Sequence, residues 1–280
     1  MCQFAKILTC LIVLLWTSPI AAQRMAIVTP IVSDMTDRFA DELATALSPR
    51  IKVLDRSMSM SAFNAVAKDD PFNMTTAEAR TAGSAIGADS FVIILAKTLR
   101  RTSFERPEYY ESYAAIYLVS TRTGKLLKWT LQSSKADNAA NSENQLMASV
   151  AQNAAAILAA AQTAAAEEPR TATLSKVEEL PADGSHESLN FRAPVPYRRK
   201  KPEYTSTAYL FDVAATVEIE LTLDAAGGIV GAEVTRWAGY GLDESAIKAV
   251  RSMNWRAAER DGKSLPIRVL LRYNFKKLGK

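Results

Sequence analysis

Apolar and polar residues alternate most regularly near the carboxy terminus. Leu265, Ile267, Val269, Leu271, Tyr273 and Phe275 interleave with Pro266, Arg268, Leu270, Arg272, Asn274 and Lys276. That period of two predicts a strand with one buried face and one wet face. Residues 216–224 repeat the pattern, with Val217, Ile219, Leu221 and Leu223 set against Glu218, Glu220, Thr222 and Asp224. Gly227 and Gly228 supply the positive φ that a hairpin turn needs. The return strand then places Val230, Ala232 and Val234 on one face. Leu242, Ala246, Ala249, Val250 and Met253 recur at helical spacing. Asp243 and Glu244 in the first turn, with Lys248 and Arg251 further on, suit that helix's dipole. Trp255 follows and reads as a buried structural tryptophan. The expected order is β-β-α-β.

Upstream, residues 24–165 predict an α/β layer. Residues 25–28 form a short buried-type strand. Phe39, Leu43, Ala46 and Leu47 mark a helix capped by Thr36 or Asp34. Residues 51–54 predict a strand and 57–67 a helix. A further helix starts at Thr75 or Thr76 and closes at Gly87. Residues 90–96 are almost continuously apolar and predict a central strand. Residues 113–119 and 125–132 predict a hairpin around Thr121 and Gly124. One long alanine-rich helix is expected over 142–166, with Leu146, Val150, Ala154, Ile157, Leu158 and Ala161 on one side.

Residues 167–203 are polar and carry scattered prolines, which predicts a linker. As a flexible coil its ends would lie about 30–35 Å apart. The fold class expected is mixed α/β (α+β) in two domains. The divisions are a leader at 1–22, an amino-terminal mixed α/β sandwich at 23–166, a linker at 167–203 and a carboxy-terminal domain at 204–280.

The leader narrows where the chain works. Lys6 precedes an apolar run over 7–16, Pro19 breaks it, and Ala21 and Ala22 offer small residues before Gln23. This is the form of a secretory signal. The run is about 10 residues, against roughly 20 for a membrane-spanning helix. A cleaved signal and a short uncleaved anchor are the two readings. Periplasmic location is expected, with inner-membrane anchoring as the alternative.

Chemistry changes the picture mainly by exclusion. Cys2 and Cys10 both lie in the leader, and His186 is the single histidine, in a polar stretch. Cysteine or serine-histidine catalysis and a typical zinc site are not expected. No carboxylate pair stands out as an acid/base couple, and Gly124-Lys125 lacks the upstream glycine of a phosphate loop. No enzyme, cofactor or metal is expected. The net charge of +4 on 280 residues gives no argument for nucleic acid. Residues 198–201, Arg-Arg-Lys-Lys, read as a solvated linker, or as a patch for anionic lipid or an acidic partner. Asn73-Met74-Thr75 matches a glycosylation sequon and reads as incidental.

Leu242-Asp-Glu-Ser-Ala246, Ala249-Val250, Trp255-Arg-Ala-Ala258, Asp261-Gly262-Lys263 and Asn274-Phe275, in β-β-α-β order, resemble the TonB carboxy-terminal domain family over about residues 204–276. Two departures mark a divergent member. Tyr204-Thr205 stands where the family has Tyr-Pro, and Ala257-Ala258 where it has Pro-Ala. From the residues alone, the last strand is either an ordinary charge-guarded edge or an edge that accepts an added strand. The resemblance implies the second. Its partner-binding residues would be Ile267, Arg268, Val269, Leu270, Leu271, Arg272 and Tyr273. The partner would be an extended segment of an envelope protein such as a TonB-dependent outer-membrane transporter. The alternative is an envelope assembly factor in which this domain makes a homodimer. Family members that transduce energy use a membrane helix with a functional histidine and a proline-rich arm. The short, histidine-free leader here departs from that.

Ala26-Ile-Val28, Phe39-Ala-Asp-Glu-Leu43, Val53-Leu-Asp-Arg56, Ile86-Gly-Ala-Asp89 and Val119-Ser-Thr-Arg-Thr-Gly124, in that order, resemble the amino-terminal domain of TolB and the related CsgG and FlgO families. That resemblance implies an envelope role for the first domain.

Overall fold

The computed structural model describes residues 23–66, 70–167, 177–181 and 190–277. The expected leader, both cysteines and His186 lie outside the described residues.

The chain begins with β1 (Arg24–Val28), α1 (Asp34–Leu47), β2 (Lys52–Val53), α2 (Arg56–Val66) and α3 (Thr76–Ile86). It continues with β3 (Ser90–Arg101), β4 (Tyr109–Ser120), β5 (Leu126–Ala136), α4 (Ala139–Met147) and α5 (Val150–Glu167). Five strands make one sheet in the order β2-β1-β3-β4-β5. β1 runs parallel to β2 and β3, and β3, β4 and β5 form an antiparallel meander. Both β3 and the meander hairpin run longer than the apolar pattern predicts.

Local chemistry fixes these elements, sometimes through other residues than expected. Ser33, not Thr36 or Asp34, caps α1, its hydroxyl accepting from Thr36 N–H at 3.1 Å. Thr36 is engaged elsewhere. It donates to Ala96 O at 2.9 Å and accepts from Ala96 N–H, tying α1 to β3 in the core. α3 starts with a reciprocal capping box of Thr75 and Glu78 and ends at Gly87, whose φ is 76°. The predicted single alanine-rich helix is two. Ser149 N–H and hydroxyl both donate to Leu146 O, and Asn153 Nδ2 donates to Ser149 O. These local bonds compete with helix continuation. The break lets α4 lie on β4 and β5 while α5 runs beside α1.

The two sheet faces are covered differently. Val92, Ile94, Ile116 and Leu118 pack under α1, α4 and α5. On the opposite face, Phe63, Ala79 and Ala82 from α2 and α3 cover Phe91. Ala115, Tyr117 and Val119 on that face continue into a cluster with Val217, Ile219, Trp237 and Tyr240. One hydrophobic core therefore joins the amino-terminal sheet to the carboxy-terminal part.

That part comprises β6 (Glu178–Glu179), β7 (Phe191–Arg192), β8 (Val195–Pro196), α6 (Ser206–Leu210), β9 (Ala215–Leu223) and β10 (Ile229–Arg236). After them come α7 (Leu242–Arg251), β11 (Trp255–Arg256), β12 (Ala258–Arg260), β13 (Lys263–Leu265) and β14 (Ile267–Phe275). The main sheet has the order β10-β9-β14-β6. Leu242, Ala246 and Val250 of α7 are fully buried against Val217, Ile219, Leu221 and Ile267. Each of the larger side chains, Leu242 and Val250, contributes about 1.5–3 kcal/mol on burial. Trp255 is buried as expected.

Two expectations change here. Val230 does not share a face with Ala232 and Val234. The β9–β10 register shifts between Ile229 and Gly231, which turns Ile229 inward and leaves Val230 65% exposed. The described parts of 167–203 are also not a free tether: β6 pairs with β14, β7 with β12 and β8 with β11.

Candidate functional site

β14 is laddered to β9 along its full length, from Ile267 opposite Leu223 to Phe275 opposite Ala215. On its other edge β6 covers only Ile267 and Arg268. Residues 269–275 leave that edge without a ladder partner among the described residues. Beside it runs a groove of about 360 Å³. Val269, Leu271, Met253 and Trp255 line its base, and Pro194, Val195 and Pro196 form the opposing wall. Leu270 and Val195 are exposed at its mouth. Burial raises the Tyr273 hydroxyl above its ordinary value, and the positive charge of Arg199 opposes that rise. Arg199 and Lys200 line the groove, so half of the basic run over 198–201 is set beside β14.

The predicted binding residues divide by face. Ile267 and Val269 are buried, Leu271 and Tyr273 half-buried, and Leu270 and Arg272 exposed. Arg268 is half-buried. The two arginines are held on their own sheet. Arg272 Nε donates to Glu218 Oε1 at 2.8 Å across the ladder. Arg268 Nε lies 3.2 Å from Glu220 Oε1. Such cross-strand pairs stabilise a sheet by about 0.2–1 kcal/mol each.

Glu218 departs from the expected wet face. It is buried and sits between Arg272 and Arg236, whose Nε is 3.4 Å away. Arg236 Nη1 in turn donates to Asn73 O at 2.8 Å and lies 3.7 Å from Glu78. A file of alternating charge, Glu78, Arg236, Glu218 and Arg272, thus runs from α3 to β14. Glu78 is held below its usual carboxylate value by the Thr75 capping bonds and Arg236, against the opposing and largest effect of burial.

The seam between the two parts is aromatic. Trp237, fully buried, has its ring centroid 5.8 Å from Tyr117 and donates Nε1–H to Gly124 O at 3.1 Å. Trp129 meets Tyr240 at 4.7 Å, and Tyr113 meets Phe211 at 4.6 Å. Burial raises the Tyr240 hydroxyl to about 12 and the Tyr117 hydroxyl well above its ordinary value, so both stay protonated. Residues 239–241 all have positive φ. A Cβ at Gly239 would meet the Trp129 ring at 2.5 Å, so the close approach requires glycine there. Asp243 closes this loop by accepting from Ala238 N–H at 2.9 Å and Gly239 N–H at 2.8 Å.

Sequence reasoning missed this seam. A signal was present in Tyr113, Ala115, Tyr117 and Val119, which alternate with Ala114, Ile116 and Leu118, so both faces of β4 are apolar. A second covering layer follows from that, but not its identity. Asn73 belongs to the seam as well. Its buried amide bonds to Thr216 and Trp237, so the sequon residue has a structural role.

Among the described residues, no group of three His, Cys, Asp or Glu side chains is placed to hold a metal ion. None of the described helices is long and apolar enough to cross a membrane.

Residues 200–277 match the family model for the Gram-negative bacterial TonB protein C-terminal region. No curated protein matches the chain. Among solved structures, the Pseudomonas aeruginosa TonB carboxy-terminal domain is 17% identical, with 38% of this chain and 99% of that chain covered and a TM-score of 0.29. Lipoprotein GNA1162 from Neisseria meningitidis is 15% identical over 48% of this chain and 99% of that chain, with a TM-score of 0.33. Hypothetical protein CT253 from Chlamydia trachomatis is 10% identical over 50% and 99%, with a TM-score of 0.35. All three scores lie below 0.5, and the family assignment stands on the family model. The carboxy-terminal domain of this chain, residues 200–277, belongs to the TonB C-terminal domain family.

Proposed function

We propose that this domain binds an extended segment of an envelope protein by taking it as an added strand on β14. The observation that carries this reading is the edge over 269–275, which has no ladder partner among the described residues and borders a groove. Backbone N–H and C=O groups on that edge supply affinity, and the groove reads alternate side chains of the incoming segment. Arg199 and Lys200 on the rim favour a segment with acidic residues. The chain works in the periplasm, its partner is a TonB-dependent outer-membrane transporter, and the contact serves transport across that membrane. It is a binding protein, not an enzyme.

The test is fluorescence anisotropy of the full chain with labelled peptides that copy periplasm-facing extended segments of such transporters. Saturable binding is expected, weakened about tenfold by Leu270→Asp and by Val195→Asp. Absence of binding, or equal binding by both folded variants, contradicts the reading. A concentration-dependent dimer lost in Leu270→Asp, with no peptide binding, would instead support the assembly role.

A further inference from the structure

A second, larger cleft of about 940 Å³ lies between β5 and α7, lined from both parts of the chain and sharing no lining residue with the β14 groove. Its base is apolar, formed by Trp129 of β5, Val234 of β10 and Ile247 of α7. Its rim is cationic. Lys128 comes from β5, and Lys248 and Arg251 come from adjacent turns of α7. Among the described residues, none of these three has an ion-pair partner within 4.0 Å, whereas Lys125 at the same rim is paired with Glu233.

The acidic groups do not cancel that excess. Glu233 is engaged by Lys125. Both carboxylate oxygens of Asp243 accept backbone N–H groups of the 237–241 loop. Only Glu244, exposed one turn before Lys248, remains as an unpaired carboxylate on the lining. Three free cations thus border an apolar base large enough for a ligand of moderate size, at a junction between two packed units. Small-molecule sites favour that size and that location.

We propose that this cleft binds a small amphipathic anion of the single-chain fatty-acid class. The apolar chain lies against Trp129, Val234 and Ile247, and the carboxylate lies beside Lys128, Lys248 and Arg251. Because the walls come from both parts of the chain, such a ligand binds the docked arrangement and holds the seam closed.

The experiment is a titration of tryptophan fluorescence in the full chain, with dodecanoate and dodecyltrimethylammonium kept below their micelle concentrations. Dodecanoate should give a saturable change, and the cation should bind at least ten times more weakly. The double variant Lys248→Ala/Arg251→Ala should weaken dodecanoate about tenfold. Ile247→Trp, which fills the base, should abolish binding while peptide binding at β14 is kept. Equal binding of both amphiphiles overturns the proposal. So does unchanged dodecanoate affinity in the folded double variant, or binding to phosphatidylglycerol vesicles with none to monomeric dodecanoate.

Discussion

Asn73 and Thr216 pair as two strand residues would. Thr216 N–H donates to Asn73 Oδ1 at 2.9 Å, and Asn73 Nδ2 donates to Thr216 O at 2.7 Å. The same Nδ2 reaches Trp237 O at 2.7 Å. One buried amide therefore holds the start of β9 and the end of β10 against the amino-terminal part. Asn73→Ala should cost about 2–3 kcal/mol, since it leaves buried backbone groups unpaired. Urea unfolding and faster amide exchange at Thr216 would check it. A change under about 0.5 kcal/mol, the usual range for inconsequential surface changes, would contradict the docking role.

Trp237 lies buried in the core that the two parts share, so the two should unfold together. Trp237→Ala should cost about 3–5 kcal/mol. Trp237→Phe should keep most of the packing and lose about 1 kcal/mol with the bond to Gly124 O. Calorimetry should show one transition in the wild type and two in Trp237→Ala. Two transitions in the wild type would mean that the shared core is not cooperative.

Arg236 connects α3 to the buried Glu218 and so, indirectly, to Arg272. Arg236→Met should destabilise by about 1–3 kcal/mol, because Glu218 keeps only one of its two cations. A double-mutant cycle with Arg272→Met should return a coupling of about 0.5–3 kcal/mol through that shared carboxylate. Additive effects would sever the proposed connection between the docking seam and β14.

Asp243 makes stability depend on pH. Burial raises its carboxyl from 3.8 to about 7, with Glu244 adding to the rise and the Gly239 and Ala238 N–H bonds opposing it. The folded state binds this proton more tightly than the unfolded chain between about pH 4 and 7. The associated stability is full below pH 4 and is lost as pH rises through about 7. From pH 5 to pH 8 the wild type should lose about 2–3 kcal/mol from this group. Asp243→Asn should flatten that slope, and cost about 1–2 kcal/mol at pH 5 by turning an amide N–H towards a backbone N–H. Parallel slopes in urea unfolding at the two pH values would contradict this.

The sequence disclosed elements whose signals are local. Thr75, Glu78 and Gly87 bound α3 because capping depends on residues within a few positions. The alternation in β14 and β9 reported burial correctly at Ile267, Val269, Val217 and Ile219. Signals that depend on distant partners were illegible. Val230 points outward because a register shift, not its own hydrophobicity, sets its face. The break at Ser149 is a local exception: its bonds to Leu146 and Asn153 end a helix that alanine content would have continued. Glu218 looked solvated because the pattern gives no account of Arg236 arriving from the neighbouring strand. The β14 edge was legible as a strand with a charged face. Its partial cover by β6, and the setting of Arg199 and Lys200 beside it, depend on where a polar tether folds back.

The most direct measurement is amide hydrogen exchange across β14 in the full chain, with and without a saturating transporter-derived peptide. The outward N–H groups over 269–275 should gain protection at alternate residues, while those bonded to β9 and those of the exposed β10 edge stay unchanged. Peptide binding with no added protection on 269–275, or protection confined to β10, would contradict strand addition at this edge.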